Sequence, residues 1–198
     1  AWYMACPEAF DKKHSAAILS LVEYSRLSTE KRLSVLQVLS AHERQWGSNT
    51  KKSLRELAKR GDPKLRREVL ITLTLSGDGN ARRELIQPLE AEVNNSFFTS
   101  DSLTDLAQVH YRIREYRDAI KYYKRSIADG IYSTSGRRDV NLGLARCYAL
   151  DKKYRDAQKS LERTGMSLDE LAELAEHPDF VEMAASSRYR KAFGLDED

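Results

Sequence analysis

The sequence predicts an all-α fold, a right-handed α-solenoid of antiparallel helix pairs. The chain of 198 residues contains only nine glycines and four prolines, too few for a turn-rich β-sandwich or barrel. Apolar residues recur three and four positions apart along most of the chain, which places them on one face of a helix. A short motif also recurs after 38 residues. Helix pairs that repeat in this way bury their apolar faces by stacking in a row.

Composition narrows the function classes without naming an activity. Hydrophobic residues make up 41% of the chain and charged residues 32%, with a formal net charge of +3. The length is enough to bury a core, and the composition is not that of a disordered chain. No stretch approaches the 18 uncharged apolar residues of a membrane span.

The cysteines and the first residues leave compartment open. Cys6 and Cys147 are too few for a disulfide framework. A single bridge between them remains possible, and we expect Cys147 to be a small buried residue inside a helix. Trp2, Tyr3 and Met4 fit the interfacial end of a removed membrane or signal segment, or equally a cloning remnant. The sequence therefore leaves the localisation open between cytoplasmic and, if a segment before Ala1 was removed, periplasmic or membrane-anchored.

The first half, residues 1–95, is predicted to be a run of helices. A cap near Ser28 or Thr29 opens the second helix, and the third ends at Gly61. The apolar faces are, in order, Ile18, Leu21 and Val22; Leu33, Leu36 and Leu39; Leu54, Leu57 and Ala58; Leu65, Val69, Leu70 and Leu73; and Ala81, Leu85, Ile86 and Leu89.

Local signals bound the last two helices of this half. Asp62-Pro63 is a strong helix start, an N-cap followed by proline at the first helical position. Gly77 is the expected stop, and Pro88 should kink or end the helix that contains it. Residues 69–75 also alternate apolar and polar side chains, which is a strand pattern. We favour a helix there because the Asp-Pro start agrees with it.

The second half, residues 96–198, begins after a polar linker at about Asn94–Asp101. Its repeat is Tyr116-Arg117-Asp118-Ala119, which returns as Tyr154-Arg155-Asp156-Ala157. Each unit is predicted to be a helix, a tight turn and a second helix packed antiparallel. The four-residue segment Ser167–Glu170 is a capping box that opens a further helix. The residues after it are expected to cover the apolar face of the last pair.

These residues resemble the tetratricopeptide repeat over about residues 100–164. The resembling positions are Leu106, Ala107, Tyr116, Ala119 and Tyr123 in one copy, and Leu144, Ala145, Tyr148, Tyr154, Ala157 and Leu161 in the other. The chain departs from the family pattern in several places. His110 replaces an aromatic, Leu103 or Asn141 stands where tryptophan is usual, and no proline follows Ile127. The period is 38 rather than 34, with the extra residues assigned to a loop at Asp129–Arg138.

The first half has a weaker resemblance, to HEAT-type repeats. It covers about residues 28–93 and rests mainly on Asp62-Pro63, Leu65-Arg66, Gly77-Asp78, Ala81 and Leu85-Ile86. The two resemblances together imply a HEAT-like segment at 1–95 followed by a tetratricopeptide-like segment with C-terminal capping helices at 96–198.

Catalytic and cofactor motifs are absent from the sequence. The four histidines are His14, His42, His110 and His177, and no pair has metal-site spacing. We expect His110 to be a core histidine. No phosphate-binding glycine loop or nucleophile elbow occurs. The sequence therefore predicts a protein that is not an enzyme and uses no cofactor or metal.

Binding is the function that remains. Stacked helix pairs leave a concave face lined by the first helix of each pair, and we expect that groove to take a helix or extended peptide of another protein. Many tetratricopeptide proteins grip a peptide C-terminus with a Lys, Asn and Arg clamp, which is absent here because the matching positions are Thr104, Asp105, Gln108 and Gly143. The predicted partner-binding residues are Asp101, Asp105, Gln108, Arg112, Asp139, Leu142 and Arg146, and the candidate aromatic anchors are Tyr111, Tyr122 and Tyr132.

Two rival functions remain open. The densest basic stretch, residues 51–67, could bind nucleic acid or an anionic surface, or form only a solvated helix face. Few aromatic residues are interleaved with these bases, which weakens a stacking platform for single strands. The chain could also be the accessory helical domain of a larger enzyme, such as a cell-wall hydrolase.

Overall fold

The structure, a computed structural model, describes Ser20, Val22, Trp46 and the segments 27–41, 48–60, 62–95, 99–130 and 134–195. All regular secondary structure in these residues is helical, with no strand. The all-α prediction is therefore confirmed. None of the helices described is both long and apolar enough to cross a membrane. The chain divides into two compact units, with the boundary between Pro88 and Leu89.

The first unit contains α1 (Thr29–Ala41), α2 (Ser48–Arg60), α3 (Pro63–Leu75) and most of α4 (Gly79–Asn95). α3 packs against both α1 and α2. The amide of Lys31 donates to the hydroxyl of Ser28 at 3.4 Å, which supports the cap expected before α1. The side chains that are almost wholly buried in this unit include Leu36, Leu39, Leu54, Leu65, Val69, Ile71 and Leu73.

Residues 69–75 are helical, and the strand alternative is wrong. The carboxylate of Asp62 accepts a hydrogen bond of 3.0 Å from the amide of Leu65, with Pro63 at the start of the helix. The polar residues of the alternating pattern are compatible with a helix because they bond back to the preceding turn. Thr72 and Thr74 each donate to the carbonyl four residues earlier, at 2.7 Å.

Pro88 does not end α4, which continues to Asn95. Proline removes one backbone hydrogen bond and leaves the carbonyl four residues earlier without its partner. Here both Pro88 and Glu84 are exposed, so water can satisfy that carbonyl. The linker expected at Asn94–Asp101 is shorter than predicted, since α4 ends at Asn95 and the next helix begins at Thr99. Phe97 and Phe98 lie outside the described residues.

The second unit contains two helix pairs and a C-terminal segment. The first pair is α5 (Thr99–Arg112) and α6 (Tyr116–Ala128), and the second is α7 (Thr134–Leu150) and α8 (Tyr154–Glu162). Each helix packs against the next one along the chain. The C-terminal segment comprises α9 (Leu168–Ala175), α10 (Val181–Ala184), α11 (Ser187–Arg190) and a 3-10 turn (Lys191–Phe193).

The turns within the two pairs have the same geometry 38 residues apart. Arg114 has φ 65° and Lys152 has φ 59°, a left-handed conformation uncommon outside glycine. The next amide donates to a carbonyl five residues earlier in both turns, from Glu115 at 2.9 Å and from Lys153 at 2.8 Å. The sequence period is thus a period of the backbone as well.

The loop between the two helix pairs is shorter than the sequence predicts. The loop assigned to Asp129–Arg138 ends where α7 begins, at Thr134, so half of that stretch is helical. Arg138 forms an ion pair with Glu170 in α9. The residues of the loop therefore serve partly to extend the first helix of the second pair.

The C-terminal segment packs onto the second pair. Ser167 and Glu170 form the predicted capping box: the amide of Ser167 donates to the carboxylate at 2.9 Å, and the Glu170 amide to the hydroxyl at 3.3 Å. The Ser167 amide and the Arg138 guanidinium, which both donate to the Glu170 carboxylate, hold its pKa below the usual value. Phe180, Met183 and Phe193 are fully buried in the same cluster as Ala157 and Leu161 of α8.

Candidate binding cleft

A cleft of about 350 Å³ opens between α5, α6 and α7 of the second unit. Two of its walls come from the first helices of the two pairs. It is lined by Gln108, Tyr111 and Arg112 of α5, Tyr123 of α6, and Asp139, Leu142, Gly143 and Arg146 of α7.

Helix periodicity explains why these residues meet. Side chains three and four positions apart lie on the same face of a helix. Gln108, Tyr111 and Arg112 have that spacing in α5. Asp139, Leu142, Gly143 and Arg146 have it in α7, so each helix presents one continuous face to the cleft.

The floor of the cleft depends on a close approach between Gly143 and Tyr123. A Cβ atom at position 143 would lie 2.5 Å from Cζ of Tyr123 and 2.7 Å from its hydroxyl oxygen, closer than nonbonded atoms can stand. Only glycine leaves room for the ring here. The ring is 4% exposed, and this burial raises the pKa of the Tyr123 phenol.

One wall is braced by the C-terminal segment. The Tyr111 hydroxyl donates to the Asp179 carboxylate at 2.6 Å, and Arg146 Nε lies 3.7 Å from the same oxygen. Nδ1 of His177 is 3.5 Å away. Burial, together with this hydrogen bond to a carboxylate, raises the pKa of Tyr111. Asp179 therefore positions two cleft side chains while itself remaining mostly buried.

Five of the seven predicted partner-binding residues lie together in this cleft: Gln108, Arg112, Asp139, Leu142 and Arg146. Asp101 is exposed and Asp105 is half-buried, and neither belongs to the lining. The predicted set omitted Tyr111, Tyr123 and Gly143 as lining residues and Asp179 as the brace. The sequence feature that could have indicated the floor is Gly143, a glycine inside a predicted helix that follows a helix containing Tyr123.

Two of the three aromatic residues expected to be exposed anchors are less exposed than expected. Tyr111 and Tyr122 are half-buried. Tyr122 stacks on His110, with ring centroids 5.2 Å apart, and its hydroxyl lies 3.3 Å from Glu90. Tyr132 lies outside the described residues.

His110 is buried, as expected of a core histidine, with 2% of its surface exposed. Its Nδ1 is 2.8 Å from the Glu115 carboxylate. Among the described residues, His110, Glu115 and Asp118 are the one set of donors that could hold a metal ion, with ligand atoms within 4.8 Å of one another. The hydrogen bond between His110 and Glu115 links the end of α5 to the start of α6. This structural role explains why these side chains lie together.

Cys147 is fully buried, in the same apolar cluster as Tyr123. Burial raises the pKa of its thiol to about 12. Because the thiolate is the reactive form of cysteine, this thiol is unsuited to nucleophilic chemistry near neutral pH. The position agrees with the expected packing role.

Several cationic side chains of the basic stretch at residues 51–67 contact other residues of the first unit. Lys51 donates to the Ser76 carbonyl at 2.8 Å, and Arg55 pairs with the nearly buried Asp78 at 2.7 Å. The further ion pairs of this stretch are Lys59 with Glu56 and Arg66 with Glu84. Exposed cations for which the described residues show no ion pair are Lys52, Arg60 and Lys64.

Comparisons of the chain with protein families, with curated proteins and with solved structures each found no match.

Proposed function

We propose that this chain is a non-catalytic adaptor that holds a segment of a partner protein in the cleft between α5 and α7. We propose further that residues 100–164 are two tetratricopeptide-type units. The observation that supports the adaptor function is the grouping of five predicted groove residues, drawn from two successive repeats, along one cleft.

The chemistry of the lining suits a polypeptide. Arg112 and Arg146 supply planar donors for carboxylates and backbone carbonyls, Asp139 accepts from amides or cations, and Leu142 offers apolar surface. The volume is near the lower end of pockets that bind small molecules. It suits one or two side chains of a longer segment that continues over the surface.

Site-specific photocrosslinking tests this proposal. A photoreactive residue at Gln108, which is exposed in the lining, is compared with the same residue at Gln87, an exposed glutamine on α4. We expect position 108 to crosslink one partner and position 87 not to do so. Equal crosslinking at both positions would reject the cleft.

The partner found in this way is then purified and titrated. The combined change Gln108→Ala and Arg112→Ala should weaken its binding at least tenfold, while thermal melting shows that the variant remains folded. Unchanged partner binding by the folded variant would reject the groove assignment.

A second candidate function rests on Lys52, Arg60 and Lys64. These exposed cations favour an anionic surface such as nucleic acid, whose affinity falls steeply with salt concentration. Titrating a fluorescent oligonucleotide at several salt concentrations tests it. A flat or absent response removes this candidate.

A further inference from the structure

We propose that the second unit carries another docking groove, which binds an acidic segment of a partner protein that inserts an apolar side chain. The groove has a volume of about 310 Å³ and lies between α6, α7 and the end of α8. Its lining residues are Lys124, Ile127, Leu144, Tyr148, Asp156, Lys159, Ser160 and Arg163.

This groove faces away from the cleft. Each residue of a helix is rotated about 100° from the one before. On α7, Leu144 is therefore turned by about 100° to 160° from Asp139, Gly143 and Arg146, and Tyr148 by about 140° to 180°. The two sites share helices α6 and α7 but no lining residue, so variants can test each site separately.

The groove offers an apolar contact surface. Ile127 is 40% exposed, one of three large hydrophobic side chains that are exposed among the described residues. Leu144 and Tyr148 line the groove with it, but both are buried, with 3% and 7% of their surface exposed. A leucine-sized side chain that packs on this surface removes apolar area from water, which favours binding.

The groove carries a net positive charge. Lys124, Lys159 and Arg163 face a single acid, Asp156. The described residues show no ion pair for any of these three cations, although Lys124 Nζ lies 5.5 Å from the centre of the Tyr148 ring. Elsewhere in the unit, Arg125, Arg138 and other cations have a carboxylate within reach. Three unpaired cations around an apolar surface favour an occupant that is both acidic and apolar.

These features favour a polypeptide over nucleic acid. Single-stranded nucleic acid is held by exposed aromatic rings along a basic track. The ring of Tyr148 is only 7% exposed, and the three cations surround one apolar contact instead of following a track. An acidic segment that contains a leucine or phenylalanine matches both the cations and the apolar surface of the groove.

Fluorescence anisotropy with the full chain tests the proposal. The probes are labelled peptides in which glutamates surround two leucines, with the spacing between the leucines varied. Saturable binding of at least one of them is expected. Replacing its leucines by serine should weaken the binding about tenfold, and so should Ile127→Ser in the protein.

Charge-reversal variants locate the site. Lys159→Glu with Arg163→Glu should weaken binding at least tenfold, and Lys159→Gln with Arg163→Gln by a smaller factor. The matched control, Lys31→Glu with Arg83→Glu, makes the same change of charge at two exposed residues of the first unit and should leave the affinity unchanged. Thermal melting confirms that each variant is folded.

Four results would overturn the proposal. The first two are no saturable binding of any peptide, and equal loss in the Lys159/Arg163 and Lys31/Arg83 variants. The other two are loss in Gln108→Ala but not in the groove variants, and binding of an oligonucleotide in the groove in place of the peptides. Loss in Gln108→Ala would place the peptide in the cleft, which keeps failure of this inference distinct from failure of the adaptor function.

Discussion

The hydroxyl of Tyr111 and the carboxylate of Asp179 form a hydrogen bond of 2.6 Å across 68 positions of sequence. This bond joins the first helix of the first repeat to the segment that follows α9. Arg146, from the second repeat, lies 3.7 Å from the same carboxylate oxygen. One aspartate therefore contacts both repeats.

Removing the Tyr111 hydroxyl should destabilise the second unit. A hydrogen bond to a charged group is worth about 1.5–3 kcal/mol, so Tyr111→Phe should lower the free energy of unfolding by about that amount in urea titrations. Tyr154→Phe is the control because its hydroxyl lies 3.3 Å from the exposed Glu182. It should cost less than about 0.5 kcal/mol. Equal losses of unfolding free energy in the two variants would show that the bond to Asp179 stabilises the unit no more than a surface contact does.

Adding a methyl group at Gly143 should also destabilise the protein. Overpacking a buried site costs about 1–3 kcal/mol, and Gly143→Ala forces the Tyr123 ring to move. Gly79→Ala is the matched control, since a Cβ at position 79 meets nothing within 4 Å. It should be neutral or slightly stabilising in the same unfolding experiment. A stabilised Gly143→Ala variant would show that the ring shifts at no cost.

The Cys147 thiol should react only when the unit opens. Burial raises its pKa to about 12, so at pH 8 almost none of it is thiolate. In a Cys6→Ser variant, labelling by Ellman's reagent should be slow in buffer and fast in denaturant. Rapid labelling of the folded protein would contradict this burial.

Stability should fall as the solution becomes alkaline. The pKa of Cys147 is raised from 9.0 to about 12 by burial, and burial raises the pKa of Tyr111 and Tyr123 as well. The folded state therefore holds these protons more tightly than the unfolded state does. The resulting contribution to the free energy of unfolding is complete below pH 9 and is lost as the pH rises toward 12. Urea titrations at pH 8 and pH 10.5 measure the decline, which Cys147→Ala should reduce. A flat profile would argue against burial of these groups.

Deleting residues 167–198 should leave the second helix pair without its covering segment. Phe180, Met183 and Phe193 are fully buried against it, and two repeats alone are fewer than such arrays usually need. We expect aggregation or loss of cooperative melting, measured by light scattering and circular dichroism. A monomeric truncated chain with a sharp transition would show that the pairs are self-sufficient.

The features predicted correctly from sequence depend on neighbours along the chain. Spacing of three and four residues determines which side chains share a helix face, so Gln108 and Arg112 could be assigned together, as could Asp139, Leu142 and Arg146. Asp62 and Ser167 cap helices through atoms only three residues away. Such local contacts leave a clear pattern in the sequence.

The features that sequence analysis missed depend on distant partners. Asp179 reaches Tyr111 only because the chain folds back after α9, and no local pattern encodes that path. Lys51 and Arg55 look like a surface patch until Ser76 and Asp78, more than 20 positions later, come beside them. Counting charges in a stretch cannot reveal which of them are already neutralised.

The position of Asp179 gives the proposed adaptor function a thermodynamic consequence. A partner carboxylate that binds Arg146 competes with Asp179 for that guanidinium, so occupancy of the cleft and attachment of the C-terminal helices are coupled. By linkage, the factor by which one weakens the other is the same in both directions. Susceptibility of the C-terminal helices to proteolysis would then report whether the cleft is occupied.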